Sequence, residues 1–156
     1  MLRMVETWKG RCIVQRMDSA GHLYALVSAI LVLQLILLAF WVGAMRTIRK
    51  QYTNPEDKVV IKGALVDDDH ADVLRAKRAH LNALENAVPF FAVGALYAAS
   101  GPSLMGAQVY FFTFLGARVL HSIFYLWGRQ PFRTLCFAIG ALATIGMAVH
   151  VIRTSI

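Results

Sequence analysis

Residues 23–45 read LYALVSAILVLQLILLAFWVGAM, twenty-three positions in which Gln34 is the one strongly polar side chain. At about 1.5 Å per residue, a helix of this length crosses a hydrocarbon core of roughly 30 Å with some tilt. It is too long for the apolar part of a secretory signal, and no small-residue cleavage site follows it. The stretch is predicted to be a retained membrane-spanning helix.

The composition outside it agrees. The 156 residues are 58 % hydrophobic and 16 % charged, with a mean hydropathy of +0.55. A soluble domain averages about 45–50 % apolar and about 25 % charged. So short a chain cannot enclose that much apolar surface, and disordered chains lack it. A small, all-α integral membrane protein remains. Cys12 and Cys136 have no CxxC spacing, which excludes a disulfide framework or a zinc ribbon. No His/Cys/carboxylate cluster has metal-ligand spacing. The net charge of +7 first signals topology and headgroup contact. Nucleic-acid binding is excluded, because no basic helix or aromatic-basic motif lies outside the apolar spans.

Working outward, residues 46–77 form a polar connection with a turn at Asn54-Pro55-Glu56-Asp57. The acids Asp67, Asp68 and Asp69 read as a solvated loop before a helix start near Asp72. A second span is expected over Arg78–Ser100, stopped by Gly101-Pro102. A third follows over Leu104–Trp127, and a fourth over Phe132–Ile152. Short loops make spans two to four antiparallel neighbours in a four-helix bundle. Residues 18–156 form this single domain, and residues 1–17 read as an N-terminal extension, with Met17 an alternative start. The first and third loops carry eight Lys and Arg against five on the other side, which directs those loops to the cytoplasm.

Ionisable groups inside a span are costly unless they face a bundle interior, a wet cavity or a partner. Arg78, Asn82 and Glu85 share one stripe of the second span, at i, i+4 and i+7. Arg118, His121, Ser122 and Tyr125 form a matching stripe on the third. Arg46 ends the first span and Arg133 begins the fourth on the same membrane side. A structural Glu85–Arg118 ion pair is one reading of these groups. It leaves Arg46, Arg78 and Arg133 converging without acids to neutralise them, so an external anion is expected. Arginine suits carboxylates, which it binds through two parallel hydrogen bonds. His80 is either an interfacial side chain or a further member of the set.

Three segments resemble the microsomal glutathione transferases of the membrane-associated eicosanoid and glutathione metabolism (MAPEG) superfamily. They are Arg78-Ala-His-Leu-Asn-Ala-Leu-Glu85-Asn-Ala-Val-Pro-Phe90, Leu96-Tyr-Ala-Ala-Ser-Gly-Pro102 and Gly116-Ala-Arg-Val-Leu-His-Ser-Ile-Phe-Tyr125-Leu. The Asn54–Asp57 turn after a basic stretch matches too, and the resemblance covers about residues 20–153. It implies a homotrimer with glutathione bound between subunits. The implied tripeptide ligands are Arg46, Arg78, Asn82, Glu85, His121 and Tyr125, with His80 and Arg118 beside them. Arg133 is the implied thiolate-stabilising arginine. Asp57 and Thr134 fall where the prostaglandin E synthase branch has been proposed to use an aspartate and a serine.

Departures from the pattern favour the transferase over the synthase: Leu81 for an arginine, Phe137 for a tyrosine and Thr134 for the serine. Ala83 stands in place of a usual aspartate. The implied activity is conjugation of glutathione to hydrophobic electrophiles, with reduction of lipid hydroperoxides as a second activity. The implied setting is the endoplasmic reticulum or a bacterial inner membrane, with the site toward the cytoplasm. The alternatives are a prostaglandin E isomerase, a non-catalytic lipid-binding scaffold, and a small cation exporter using Glu85. Arg133 argues against the scaffold and the surplus of arginines against the exporter.

Overall fold

A computed structural model of the chain describes residues 19–60 and 62–156. The expected extension at residues 1–17 lies outside the described residues. Among the described residues four long helices carry the fold: α1 (Ser19–Arg49), α2 (Ala71–Ala99), α3 (Leu104–Trp127) and α4 (Gln130–Ser155). α2 and α3 pack together at the centre, α1 lies against both, and α4 against both from another side.

α1, α3 and α4 are each long and apolar enough to cross a membrane. Their outward faces are unfit for water: Leu37 is 68 % exposed and Phe40 72 %. α2 falls short by composition, because Asn82, Glu85, Asn86 and Pro89 interrupt its apolar part beyond the basic first turns. It begins at Ala71, at the helix start expected near Asp72 and seven residues before the apolar span at Arg78. His70 caps it, its Nδ1 accepting from the Asp72 amide at 3.2 Å. α1 also extends beyond its apolar run at both ends. Its last turns hold together because Arg46 and Arg49 pair with Asp69 and Asp72 across the connection.

α2 packs closely because small residues line its inner face: Ala76, Ala79, Ala83, Ala87 and Gly94 are buried. Aromatic rings fill the far half of the bundle. Phe90 stacks on Phe114 with centroids 4.2 Å apart, and Tyr24 donates to the Phe91 carbonyl at 2.8 Å. Gln34, the one strongly polar side chain of the first span, ties α1 to α3. Its Nε2 donates to Ser122 Oγ at 2.7 Å and to the Arg118 carbonyl at 3.0 Å.

The connection from α1 to α2 is more ordered than a solvated loop. β1 (Gln51–Tyr52) pairs in parallel with β2 (Ala64–Leu65) around a 3-10 turn at Pro55–Val59. Lys50 adopts a left-handed backbone (φ 51°), and a Cβ on Gly63 would collide with the Lys50 carbonyl. Glycine at 63 is therefore required by close approach of the two chains. Asp69 is buried, against the expectation of a solvated acid, and pairs with Arg46 and Lys77. Asp67 and Asp68 remain exposed.

Candidate functional site

The centre of the site is Arg118 on α3, 2 % exposed. Its Nη2 donates to Asn82 Oδ1 at 2.8 Å and approaches the Asn82 carbonyl at 3.4 Å. The same nitrogen lies 3.4 Å from His121 Nδ1, one turn along α3. Nε and Nη1 have no hydrogen-bond partner among the described residues. A buried guanidinium with two free donors and no carboxylate is costly to hold, and it favours an incoming acceptor.

The expected Glu85–Arg118 ion pair does not form in the described chain. Asn82 is half-buried and faces α3, whereas Glu85, about 60° further round the helix, is exposed. A neutral amide thus occupies the position in which the carboxylate was expected.

α4 supplies the other wall. Gly128, with φ 70°, ends α3 in a left-handed turn. Pro131 then sits in the first turn of α4, and Arg133 follows on the inner side. The Arg133 guanidinium carbon stands 4.5 Å over the centre of the Tyr125 ring, in cation–π geometry. Between them opens a cavity of about 230 Å³ lined by Asn82, His121, Tyr125, Arg133, Thr134 and Phe137. No acid lines it. The Thr134 hydroxyl donates to the Gln130 carbonyl of its own helix at 3.3 Å, leaving its oxygen free to accept.

The remaining sequence candidates lie elsewhere. Arg46 is held by Asp69 at 3.3 Å and by Asp57 at 3.7 Å, in a cluster with Lys77. Burial alone would raise the Asp69 carboxyl. Hydrogen bonds from Lys77 and Arg46, with their charges, more than offset this and hold it below the usual carboxylate value. Asp57 thus serves the connection in this chain, and its oxygen also accepts from Asn54 Nδ2 at 3.4 Å. Arg78 and Glu85 are exposed on α2, and His80 is half-buried; none of the three lines the cavity.

One chain therefore gathers Asn82, Arg118, His121, Tyr125, Arg133 and Thr134, and leaves Arg46, Asp57, Arg78, His80 and Glu85 outside. Sequence reasoning left Gln34 without a role and took Asp69 for a solvent-facing acid. Nothing in the run Asp67–Asp69 distinguishes the buried member. A polar side chain in the middle of an apolar span was the available signal for Gln34.

Comparison with known proteins agrees with the architecture. A family model described as "MAPEG family" matches residues 24–153. Microsomal glutathione S-transferase 1 of Homo sapiens is 36 % identical over 146 residues, covering 89 % of this chain and 93 % of its own length. The Bos taurus protein of that name is 41 % identical over 118 residues, covering 71 % and 75 %. Prostaglandin E synthase of Equus caballus is 33 % identical over 130 residues, covering 83 % and 85 %.

Proposed function

The chain belongs to the MAPEG family, and from that premise we propose that it is a membrane-embedded glutathione transferase. The observation that carries the reading is the cavity beside two guanidinium groups, Arg118 and Arg133, with no acid among the described residues of its lining. Glutathione brings two carboxylates and a thiol, the chemistry such a cavity lacks. Arg118, Asn82, His121 and Tyr125 bind the tripeptide, and Arg133 faces the sulfur.

The thiol needs help to react. A free thiol with a pKa near 8.5 is only about 3 % ionised at pH 7, and a neighbouring guanidinium favours the thiolate. The stack on Tyr125 restrains Arg133, so less side-chain entropy is lost when the thiolate forms. The sulfur then forms a bond to an electrophile dissolved in the bilayer, with halide leaving where the electrophile is an aryl halide, or attacks a lipid hydroperoxide to release the alcohol, a second glutathione then giving the disulfide and water. No protein nucleophile takes part; Cys136 is buried. Thr134 and Asp57 are secondary candidates, Thr134 at the cavity wall and Asp57 through Arg46.

A cavity of about 230 Å³ is smaller than the roughly 300–1,000 Å³ of typical ligand sites. This supports a homotrimer in which a neighbouring chain completes each site. Arg78, Glu85, His80 and Arg46 then act across the subunit boundary, Glu85 toward the ammonium of glutathione. α2 crosses the membrane as well: Ala79–Ala99 spans about 31 Å, with its basic first turns at headgroup level. The cavity opens on the cytoplasmic side of an endoplasmic-reticulum or bacterial inner membrane.

Likeness to prostaglandin E synthase keeps glutathione-dependent isomerisation as the second reading, although Phe137 in the cavity wall departs from that branch. The experiment is a conjugation assay with a chromogenic aryl halide beside a hydroperoxide assay. Glutathione-dependent turnover of the halide is expected. Isomerase activity without conjugation would reverse the order of the two readings.

A further inference from the structure

A second opening lies between α1 and α3, on the other side of α3 from the cavity. Two adjoining hollows of about 570 and 230 Å³ share Trp41, Ile123 and Leu126 in their walls. Together they run from Arg49, Asp72 and Arg75 at one end to Gln34 at the other. Arg49 and Gln34 are fifteen positions apart on one helix, about 22 Å. That matches one leaflet from headgroup to midplane, half of the roughly 40–45 Å total thickness.

The two ends differ in chemistry. Between them the wall is apolar; Trp41 lies midway along it, 44 % exposed, and the Trp127 ring stands at the charged end, 69 % exposed. An amphipathic ring at that end settles at headgroup level. At the charged end Arg49 pairs with Asp72. Arg75 lies against Gly128, with no ion pair among the described residues. Two cations and one anion leave a positive charge at the mouth of an acyl-sized groove.

We infer that this groove binds an anionic phospholipid, its phosphate at Arg75 and an acyl chain along Trp41, Ile123 and Leu126. A soluble anion would satisfy Arg75 and leave the apolar wall uncovered. A zwitterionic lipid would bring its own ammonium to a mouth that is already positive. The site uses one chain only and does not rest on the glutathione reading.

Native mass spectrometry of the purified protein tests this, with phosphatidylglycerol and phosphatidylcholine of identical chains offered together. One phosphatidylglycerol per chain is expected to be retained in preference. Arg75→Gln should reduce that preference roughly fivefold, the effect of one basic residue near a charged surface. Leu126→Trp, which narrows the groove, should lose both lipids while the helical circular dichroism stays at the parent's level. Equal retention of the two lipids by the parent overturns the assignment. So does a preference unchanged in Arg75→Gln, or full lipid retention by Leu126→Trp. A trimer that retains no lipid would mean that a neighbouring copy covers the groove, and would also overturn it.

Discussion

Replacing Arg133 with leucine removes the positive charge held over Tyr125 while keeping an apolar side chain at the cavity wall. Its effect follows from the electrostatics. A thiolate about 4 Å from a guanidinium gains about 1 kcal/mol in water and about 4 kcal/mol at an effective dielectric of 20. Arg133 is half-buried, between these limits. At about 1.4 kcal/mol per pKa unit, the bound thiol is lowered by about 1–3 units. Its ionised fraction at pH 7 then rises from about 3 % to between about 25 % and 97 %. Arg133→Leu should therefore lower turnover about 8- to 30-fold at pH 7, with glutathione affinity largely kept. Interactions that favour the reacting state appear in turnover. The assay is kcat for aryl-halide conjugation against pH. The parent should level off near neutrality, whereas the variant should keep rising and approach the parent above about pH 9. Arg133→Lys, which keeps the charge without the planar stack, should fall between them. Superimposed profiles for parent and Arg133→Leu would refute the assignment and move attention to Thr134 or a neighbouring subunit's Arg46.

Other perturbations separate binding from scaffold. Glu85→Gln should raise KM for glutathione about tenfold with kcat within about twofold, as expected for loss of a charge-assisted contact made in ground and transition states alike. Asp69→Asn should destabilise the first connection by about 1.5–3 kcal/mol, the worth of hydrogen bonds to a charged group. Faster hydrogen exchange at the Ala64 and Val66 amides would report it. Because Asp69 titrates below its unfolded value of about 3.9, its contribution is complete above that pH. It disappears as pH falls through the lowered folded value. The parent's loop protection should thus drop only in acid, and Asp69→Asn should lack that step. Gly63→Ala should expose the same amides by breaking the approach of residue 63 to Lys50, at about 1–3 kcal/mol.

What the sequence discloses follows what the bilayer demands. α1, α3 and α4 are legible because lipid requires unbroken apolar runs, and the stops at Gly101-Pro102 and Gly128 are backbone chemistry. The start of α2 near Asp72 is legible from the acidic stretch before it, whereas the pairing of Asp69 and Asp72 with Arg46 and Arg49 of α1 is not, because spacing does not say which acid meets which base. Two-residue strands carry no alternation to read, so β1 and β2 were invisible. The stripe of Arg118, His121 and Tyr125 was legible from spacing alone, and Arg133 from its place after Pro131. Spacing does not fix which neighbour a side chain meets. Asn82 and Glu85 share a stripe, yet a rotation of about 60° gives Arg118 to the amide and leaves the acid outside.

The central claim is that this chain binds glutathione and ionises its thiol at neutral pH. Ultraviolet difference absorbance of the purified protein at pH 7, titrated with glutathione, tests it most directly. A thiolate band that rises and saturates with glutathione, and is displaced by an S-alkylated analogue, is expected. Absence of a saturable band at pH 7, with none appearing as pH is raised to the free thiol's own range, would contradict the account.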